Sequence, residues 1–159
     1  MFLARAIHFD ESDMNVFASP ARTGEWAISG GFEFSNWSTG DLVGKARQAF
    51  ANGWLGIETF GRVTFVAVTR IETAEYEALA ERLAEHFVAV YGAPSLKAAL
   101  PTATEELAQM ADLCVDHAPN TVLTVMRELT EAGVREQYRF IEANEAGLDQ
   151  FAIHGSLDE

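Results

Sequence analysis

Three short clusters of residues in the sequence carry side chains that can bind phosphate or metal ions. The first is the segment Gly40–Lys45, whose Gly-x-x-x-Gly-Lys spacing is one residue shorter than a phosphate-binding loop. Ala46 stands where that loop needs a Ser or Thr hydroxyl for Mg²⁺, and the lysine falls inside a predicted helix. The segment is instead typical of an amphipathic helix, in which small residues such as Gly44 allow close packing on a sheet.

Two further clusters combine side chains that can bind metal ions. Cys114-x-x-His117 supplies half of a zinc site, but no second pair of Cys or His stands at metal-ligand spacing. Cys114 also lies on the apolar stripe of a predicted helix, which indicates a buried core thiol. His8 precedes the acidic segment 10–13, which lacks the alternating aspartates of a calcium loop and is typical of a solvated turn. We therefore predict no metal site.

The sequence has no recognisable catalytic motif. No Gly-x-Ser-x-Gly places a nucleophile on a sharp turn, and no Gly-x-Gly-x-x-Gly opens a helix after a strand to hold a dinucleotide. Most carboxylates of residues 72–159 fall on predicted solvent-exposed faces. We therefore predict no catalytic residue and no cofactor. An enzyme would have to assemble its site from scattered side chains such as Trp54, Glu58, Arg62 and His8.

Aromatic side chains are concentrated in the first half of the chain. Residues 26–65 hold eight of the 17 Phe, Tyr and Trp residues, including Trp26, Trp37 and Trp54. One interpretation is core packing, because aromatic side chains dominate core burial. The other is an aromatic groove for a ligand or a partner chain, since Trp is enriched at such surfaces. Trp37 lies in a polar loop and is expected to be exposed, and these three tryptophans are the candidate binding residues.

Charge is distributed unevenly along the 159 residues. The net charge is −13, and residues 72–159 contribute −12 of it, with 5 Lys or Arg against 17 Asp or Glu. Such a surface repels phosphate backbones and anionic lipid, so we expect neither nucleic acid nor membrane as a partner. No apolar run has the length of a membrane span, and the N-terminus does not resemble a signal peptide. The single cysteine suits a reducing compartment, and we predict a cytoplasmic protein.

Secondary structure must position these side chains, and the spacing of apolar residues predicts it. Strands are predicted at 2–9, 25–35, 54–60, 63–71, 121–129 and 134–142. Helical spacing predicts a short helix capped by Ser38 and Asp41, a long helix over 73–91, and a third between Pro101 and His117.

The order of these elements, with pairs of adjacent strands and clustered helices, indicates an α+β fold. We predict a largely antiparallel sheet of about five to six strands, with two to three helices on one face. Residues 1–143 are predicted to form a single globular domain, because the length suits one core and no linker divides it. Residues 144–159 are predicted to form a polar C-terminal tail.

Three segments of the sequence are distinctive: "TGEWAISGGFEF" at 23–34, "LVGKARQAFANGWLGIETFG" at 42–61 and "GVREQYRF" at 133–140. Together they resemble a small uncharacterised bacterial family of about this length, over most of the chain up to Phe140. That family has no assigned activity, so the resemblance implies no catalytic residues. It also implies that the Gly40–Lys45 segment belongs to the family's own pattern.

The function class follows from the missing catalytic motifs and the concentrated aromatic residues. We predict a non-catalytic cytoplasmic binding or accessory module, which acts through an aromatic-rich surface on an unknown protein or small-molecule partner. We expect it to form a homo-oligomer through a sheet edge or through its aromatic half. The alternative is a small-molecule enzyme whose site is assembled from scattered polar residues.

Overall fold

A curled sheet of seven antiparallel strands is the framework of the protein, seen in a computed structural model that describes residues 1–9 and 15–142. The strands are β1 (Phe2–Ile7), β2 (Trp26–Ile28), β3 (Trp54–Gly56), β4 (Arg62–Val63), β5 (Phe65–Arg70), β6 (Val122–Thr130) and β7 (Gly133–Ile141). Their order across the sheet is β4-β3-β2-β1-β5-β6-β7. The predicted α+β class with an antiparallel sheet is confirmed. The predicted tail 144–159 lies outside the described residues.

The sheet has more strands than predicted because the predicted strand over 63–71 is divided in two. Strand β4 pairs with β3, whereas β5 pairs with β1 on one side and with β6 on the other. The chain bends at Thr64 between them. Apolar residues continue on both sides of this bend, so the hydrophobic pattern does not reveal it.

The predicted strand over 25–35 is much shorter than expected and ends at Ile28. Gly30 adopts a left-handed conformation with φ of 69°, and the residues Gly31–Phe34 form a 3₁₀ turn. A Cβ atom at Gly30 would lie 2.4 Å from the Cβ of Leu55, so only glycine fits. The turn directs the chain inward, and the Phe34 side chain is fully buried.

Three helices lie in the described residues: α1 (Gly44–Asn52), α2 (Thr73–Tyr91) and α3 (Leu96–Cys114). The long predicted helix has the bounds of α2, and it ends at Gly92, whose φ of 75° suits a glycine cap. Helices α2 and α3 pack against each other, and α3 also contacts β1 and β2. Within the described residues, no helix has the length and apolar character needed to cross a membrane.

Helix α3 begins earlier than predicted because Pro101 lies inside it rather than before it. Proline lacks the N–H group that would bond to the fourth residue before it, so the helix loses one hydrogen bond. The helix is stabilised by Ser95, whose side chain accepts a hydrogen bond from the Ala98 N–H at 3.1 Å. It is also stabilised by the burial of Ala99 and Ala103 on either side of the proline.

The predicted capping box exists, but it caps a different element. The Asp41 carboxylate accepts from the Ser38 N–H at 2.8 Å, at the start of a 3₁₀ turn over Thr39–Asp41. Helix α1 starts later, at Gly44. The 3₁₀ turn separates the capping residues from the helix that they were expected to start.

The curl of the sheet brings its two ends together. Helix α1 contacts both β4 and β6, although four other strands lie between them in the sheet. The Asn52 side-chain amide donates to the Val125 carbonyl at 3.1 Å, and the Trp54 ring stacks on Tyr138 with centroids 6.0 Å apart. One continuous core forms inside this curl and under α2 and α3.

The backbone conformation at position 44 favours glycine. This corrects the expectation that Gly44 allows close packing on the sheet. Its φ is +57°, and no atom lies within 4 Å of a Cβ added there. We expect Gly44→Ala to lower the free energy of unfolding by about 1 kcal/mol, because a left-handed conformation is unfavourable for alanine.

Urea denaturation followed by tryptophan fluorescence measures this change. Gly40→Ala is the matched control, because Gly40 is exposed and does not have a positive φ. Equal stability of the two variants would contradict the conformational explanation.

Candidate functional site

Two buried arginines meet where the ends of the curled sheet approach each other. Arg62 on β4 is 4% exposed and Arg127 on β6 is 3% exposed. Arg62 donates to the carbonyl oxygens of Ser29 and Gly53 at 3.2 and 3.1 Å. Arg127 donates to the same two carbonyl oxygens at 2.5 and 2.9 Å. The two guanidinium groups therefore tie both ends of the sheet to the same pair of backbone acceptors.

Each of these arginines is also paired with a carboxylate. The Arg62 guanidinium lies 2.7 Å from Glu33, and Arg127 lies 2.7 Å from Glu136. Both guanidinium groups lie over the Phe34 ring, at 4.6 and 5.2 Å from its centroid. Burial lowers the pKa of Arg62 to about 10 against the opposing effect of Glu33, so the side chain stays charged at neutral pH.

Glu136 on β7 is held by three side-chain donors. Its carboxylate accepts from the Ser29 hydroxyl at 2.6 Å, from Arg127 Nε at 2.7 Å and from the Tyr138 hydroxyl. Burial alone would raise the pKa of Glu136, but Arg127 and the three hydrogen bonds outweigh burial and lower it. Glu136 is therefore a fixed and ionised carboxylate.

A cleft of about 330 Å³ lies beside Glu136, and we call it the polar cleft. Its lining residues are Ser29, Gly31, Phe32, Glu106, Gln109, Val134 and Glu136. Glu106 on α3 is half-buried and forms no hydrogen bond with the described residues. Burial, and then the charges of Glu136 and Glu105, raise the pKa of Glu106. The polar cleft thus holds two carboxylates whose pKa values are displaced in opposite directions.

A second cleft of about 310 Å³ lies at the turn between α2 and α3, and we call it the aromatic cleft. Its lining residues are Phe32, Phe87, Tyr91, Gly92, Ala93, Ala98, Ala99 and Thr102. The Phe32 ring packs edge-on against Phe87 and Tyr91, with centroids 5.0 and 5.5 Å away. Phe32 lines both clefts, so a polar space and an apolar space meet at one side chain.

The three candidate tryptophans lie elsewhere. Trp26 is buried and its indole N–H donates to Glu75 at 2.9 Å. Trp54 is fully buried against Tyr138, and within the described residues its indole N–H has no partner. Trp37 is half-buried rather than exposed, with its ring edge-on to Phe34 at 4.8 Å. None of the three lines the polar or the aromatic cleft, and their role in binding stays a prediction.

The side chains that the sequence suggested for an enzyme site do not line the polar cleft or the aromatic cleft. The His8 imidazole is hydrogen-bonded to the Ala21 carbonyl at 3.0 Å, and Glu58 forms an exposed ion pair with Arg22. Neither residue lines the polar or the aromatic cleft, and nor do Trp54 and Arg62.

The interpretation of Cys114 as a core thiol is confirmed. The thiol is buried, and burial raises its pKa to about 12. His117 stacks on Phe140 with ring centroids 4.0 Å apart. Across residues 1–9 and 15–142, no group of three or more His, Cys, Asp or Glu is arranged to hold a metal ion.

The sequence contained one signal for the arginine cluster that was missed. Along β6, Leu123 and Val125 are buried, and Arg127 continues the same alternation as a third buried residue. A charged residue in phase with buried apolar ones must find partners, because an unpaired buried charge is very costly. Its partner Glu136 lies directly opposite it in the β6–β7 hairpin. No such signal marks Glu106 or Phe32.

Comparison with known proteins identifies the family. The chain belongs to DUF6505, a family of unknown function whose sequence profile matches residues 1–159. The expectation of an uncharacterised family is confirmed, while the bacterial origin stays a prediction. No curated protein and no solved structure matches the chain.

We expect Arg127→Met to lower the free energy of unfolding by about 3–5 kcal/mol, because it leaves the partly buried Glu136 without its cation and the Phe50 carbonyl without the donor that Arg127 supplies. Arg135→Met is the matched control and should cost below about 1 kcal/mol, because the one ion pair that Arg135 forms with a described residue is its exposed pair with Glu128 at 3.3 Å. Chemical denaturation of both variants provides the measurement. Similar losses for the two variants would show that closure of the sheet does not depend on Arg127.

We expect Glu106→Gln to stabilise the protein at neutral pH, because the raised pKa means that folding disfavours the ionised carboxylate. The penalty is complete above the folded-state pKa and disappears below the lower unfolded-state pKa, so the gain should vanish in acid. Its size should stay below about 1 kcal/mol, because solvent screens a half-exposed group.

Denaturation across the acidic to neutral range measures the difference between the wild type and this variant. Glu105→Gln is the control for the change in net charge, and its gain should be smaller, because the Glu105 charge is the smallest of the three causes that raise the pKa of Glu106. A gain that stays constant with pH would contradict the assigned cause.

Proposed function

We propose that this member of a family of unknown function is a non-catalytic binding module, which holds a small molecule across the polar and aromatic clefts. The observation that carries the proposal is the double role of Phe32, whose side chain lines both clefts. One ligand in contact with Phe32 can place a polar group on one side and an apolar group on the other.

The sizes and linings of the clefts support this proposal. Small-molecule sites usually have volumes of about 300–1,000 Å³, with mostly apolar linings and a few fixed polar groups. Each cleft lies near the lower limit of that range, and together they fall well inside it. Glu136, held by three donors, is such a fixed polar group.

Binding is better supported than catalysis by the contacts of the hydroxyl groups near the cleft. The opposite pKa displacements of Glu106 and Glu136 favour an enzyme, because acid–base pairs are often made in this way. The hydroxyl groups of Ser29 and Tyr138, however, both donate hydrogen bonds to Glu136 and hold its carboxylate in place. Acid–base catalysis by Glu106 is therefore the second candidate function.

A larger cleft of about 610 Å³ lies between α2 and α3 and is the competing location for a ligand. Its lining residues are Met1, Thr73, Tyr76, Glu77, Ala80, Glu81, Leu100 and Thr104. Tyr76 is the one aromatic side chain among the described residues that line it, and the carboxylates of Glu77 and Glu81 are exposed. We favour the clefts at Phe32 because they combine a fixed carboxylate with three aromatic rings.

We propose in addition that the protein is cytoplasmic and forms a homo-oligomer. The net charge of −13 and the single cysteine support a soluble protein in a reducing compartment.

We expect a fragment screen by two-dimensional amide NMR to give binders that perturb residues 29–32, 87–93 and 106–109. Ala98→Trp should weaken these binders at least about tenfold, because the indole fills the aromatic cleft from an exposed helix position. Lys97→Trp is the matched control, since this neighbouring residue is exposed and lies outside the cleft lining.

Binders that perturb only the larger cleft around Tyr76 and Leu100 would contradict the proposed location. Equal weakening by the Ala98 and Lys97 variants would contradict the role of the aromatic cleft.

A further inference from the structure

We infer that the ligand carries a positively charged amine next to an apolar group, with the amine in the polar cleft and the apolar group in the aromatic cleft. This inference rests on the binding function proposed above and specifies the chemical class of the ligand.

Among the described residues, the lining of the two clefts carries negative charge and no positive charge. Glu106 and Glu136 line the polar cleft, and none of the described residues that line either cleft is Lys, Arg or His. The Arg127 side chain that neutralises Glu136 is fully buried, and it donates to the carbonyl oxygens of Phe50 and Gly53. An anionic ligand would therefore meet two carboxylates without an accessible cation, whereas an amine would meet a partner.

Two basic side chains close to the clefts, Arg62 and His86, do not change this balance. Arg62 is buried and paired with Glu33. His86 lies beside Tyr91 with ring centroids 5.7 Å apart, and burial lowers its pKa, so it is neutral at neutral pH. The C-terminal end of α2 and the N-terminal end of α3 both border the aromatic cleft, and their opposite dipoles offset each other.

Glu106 is the carboxylate that can receive the amine. It has no hydrogen bond or ion pair within the described residues, whereas Glu136 already accepts from three side chains. Gln109 lies three residues after Glu106 on α3 and therefore shares its helix face. The side-chain oxygen of Gln109 offers a second acceptor in the same cleft.

The aromatic cleft supplies the second half of the recognition. The rings of Phe32, Phe87 and Tyr91 line it, and their centroids lie within 6.1 Å of one another. Apolar groups bury area against such rings, and ring faces attract ammonium groups within about 6 Å. Phe32 lines both clefts. An amine in contact with Phe32 therefore has the carboxylates of the polar cleft on one side and the rings of the aromatic cleft on the other.

Three probes of matched size test the charge preference: phenethylamine, the neutral phenethyl alcohol and the anionic hydrocinnamate. In amide-NMR titrations at neutral pH and low salt, we expect the amine to bind about tenfold more tightly than the alcohol. The carboxylate should bind most weakly. Glu106→Gln should abolish the advantage of the amine over the alcohol.

Glu105→Gln is the matched control, since it removes the same charge one residue away and outside the cleft lining, and it should preserve the preference for the amine. Equal binding of all three probes at the clefts, or loss of the preference in both variants, would overturn the inference and leave the binding function standing. If no probe perturbs the clefts, both the inference and the proposed function are overturned.

Discussion

Two guanidinium groups that share the carbonyl oxygens of Ser29 and Gly53 hold the sheet in its curled form. Strands β2 and β3 have three residues each, and β4 has two. Strands of this length leave many backbone acceptors beyond the end of their ladders, and buried acceptors require donors. Arg62 and Arg127 supply donors at the places where neighbouring strands do not. Apolar side chains could fill the same volume, but they would leave these carbonyls without partners.

The same interaction fixes one of the two carboxylates that line the polar cleft. Arg127 fixes Glu136, and the space for its carboxylate depends on Gly31, where an added Cβ would lie 2.4 Å from Glu136 Oε2. Glu106 comes from a different element and is not part of the arginine cluster. The wall of the cleft that contains Glu136 is therefore rigid, because the contacts that close the sheet also hold this carboxylate. The Glu106 carboxylate has no hydrogen-bond partner among the described residues. Closure of the sheet and the fixed position of Glu136 in the polar cleft therefore have one common cause.

The sequence predicted the local elements well and the site poorly, for a physical reason. Helix α2 was predicted with its correct ends because its apolar stripe and terminal glycine are local signals. The hairpin of β6 and β7 was predicted within one residue at each strand end, since alternation and a short turn also act locally. The site instead joins Ser29 to Glu136 across 107 residues, and no spacing rule links positions so far apart. The early end of β2 before Gly30 and the place of Pro101 inside α3 were not predicted, because tertiary packing, and not local preference, decides the backbone there.

The distance in sequence between the arginine of β6 and its acceptors also constrains how the chain can fold as it is synthesised. Ser29 and Arg127 are 98 residues apart, and the β6–β7 hairpin is made after every other described element. Contacts of such long range are costly to form early, because the intervening chain must lose its entropy first. A nascent chain that lacks the hairpin has the carbonyls of Ser29 and Gly53 without the donors that Arg127 provides, so its first strands cannot complete their closure. Among the described elements, the hairpin that is synthesised last is thus the one that allows the sheet to close.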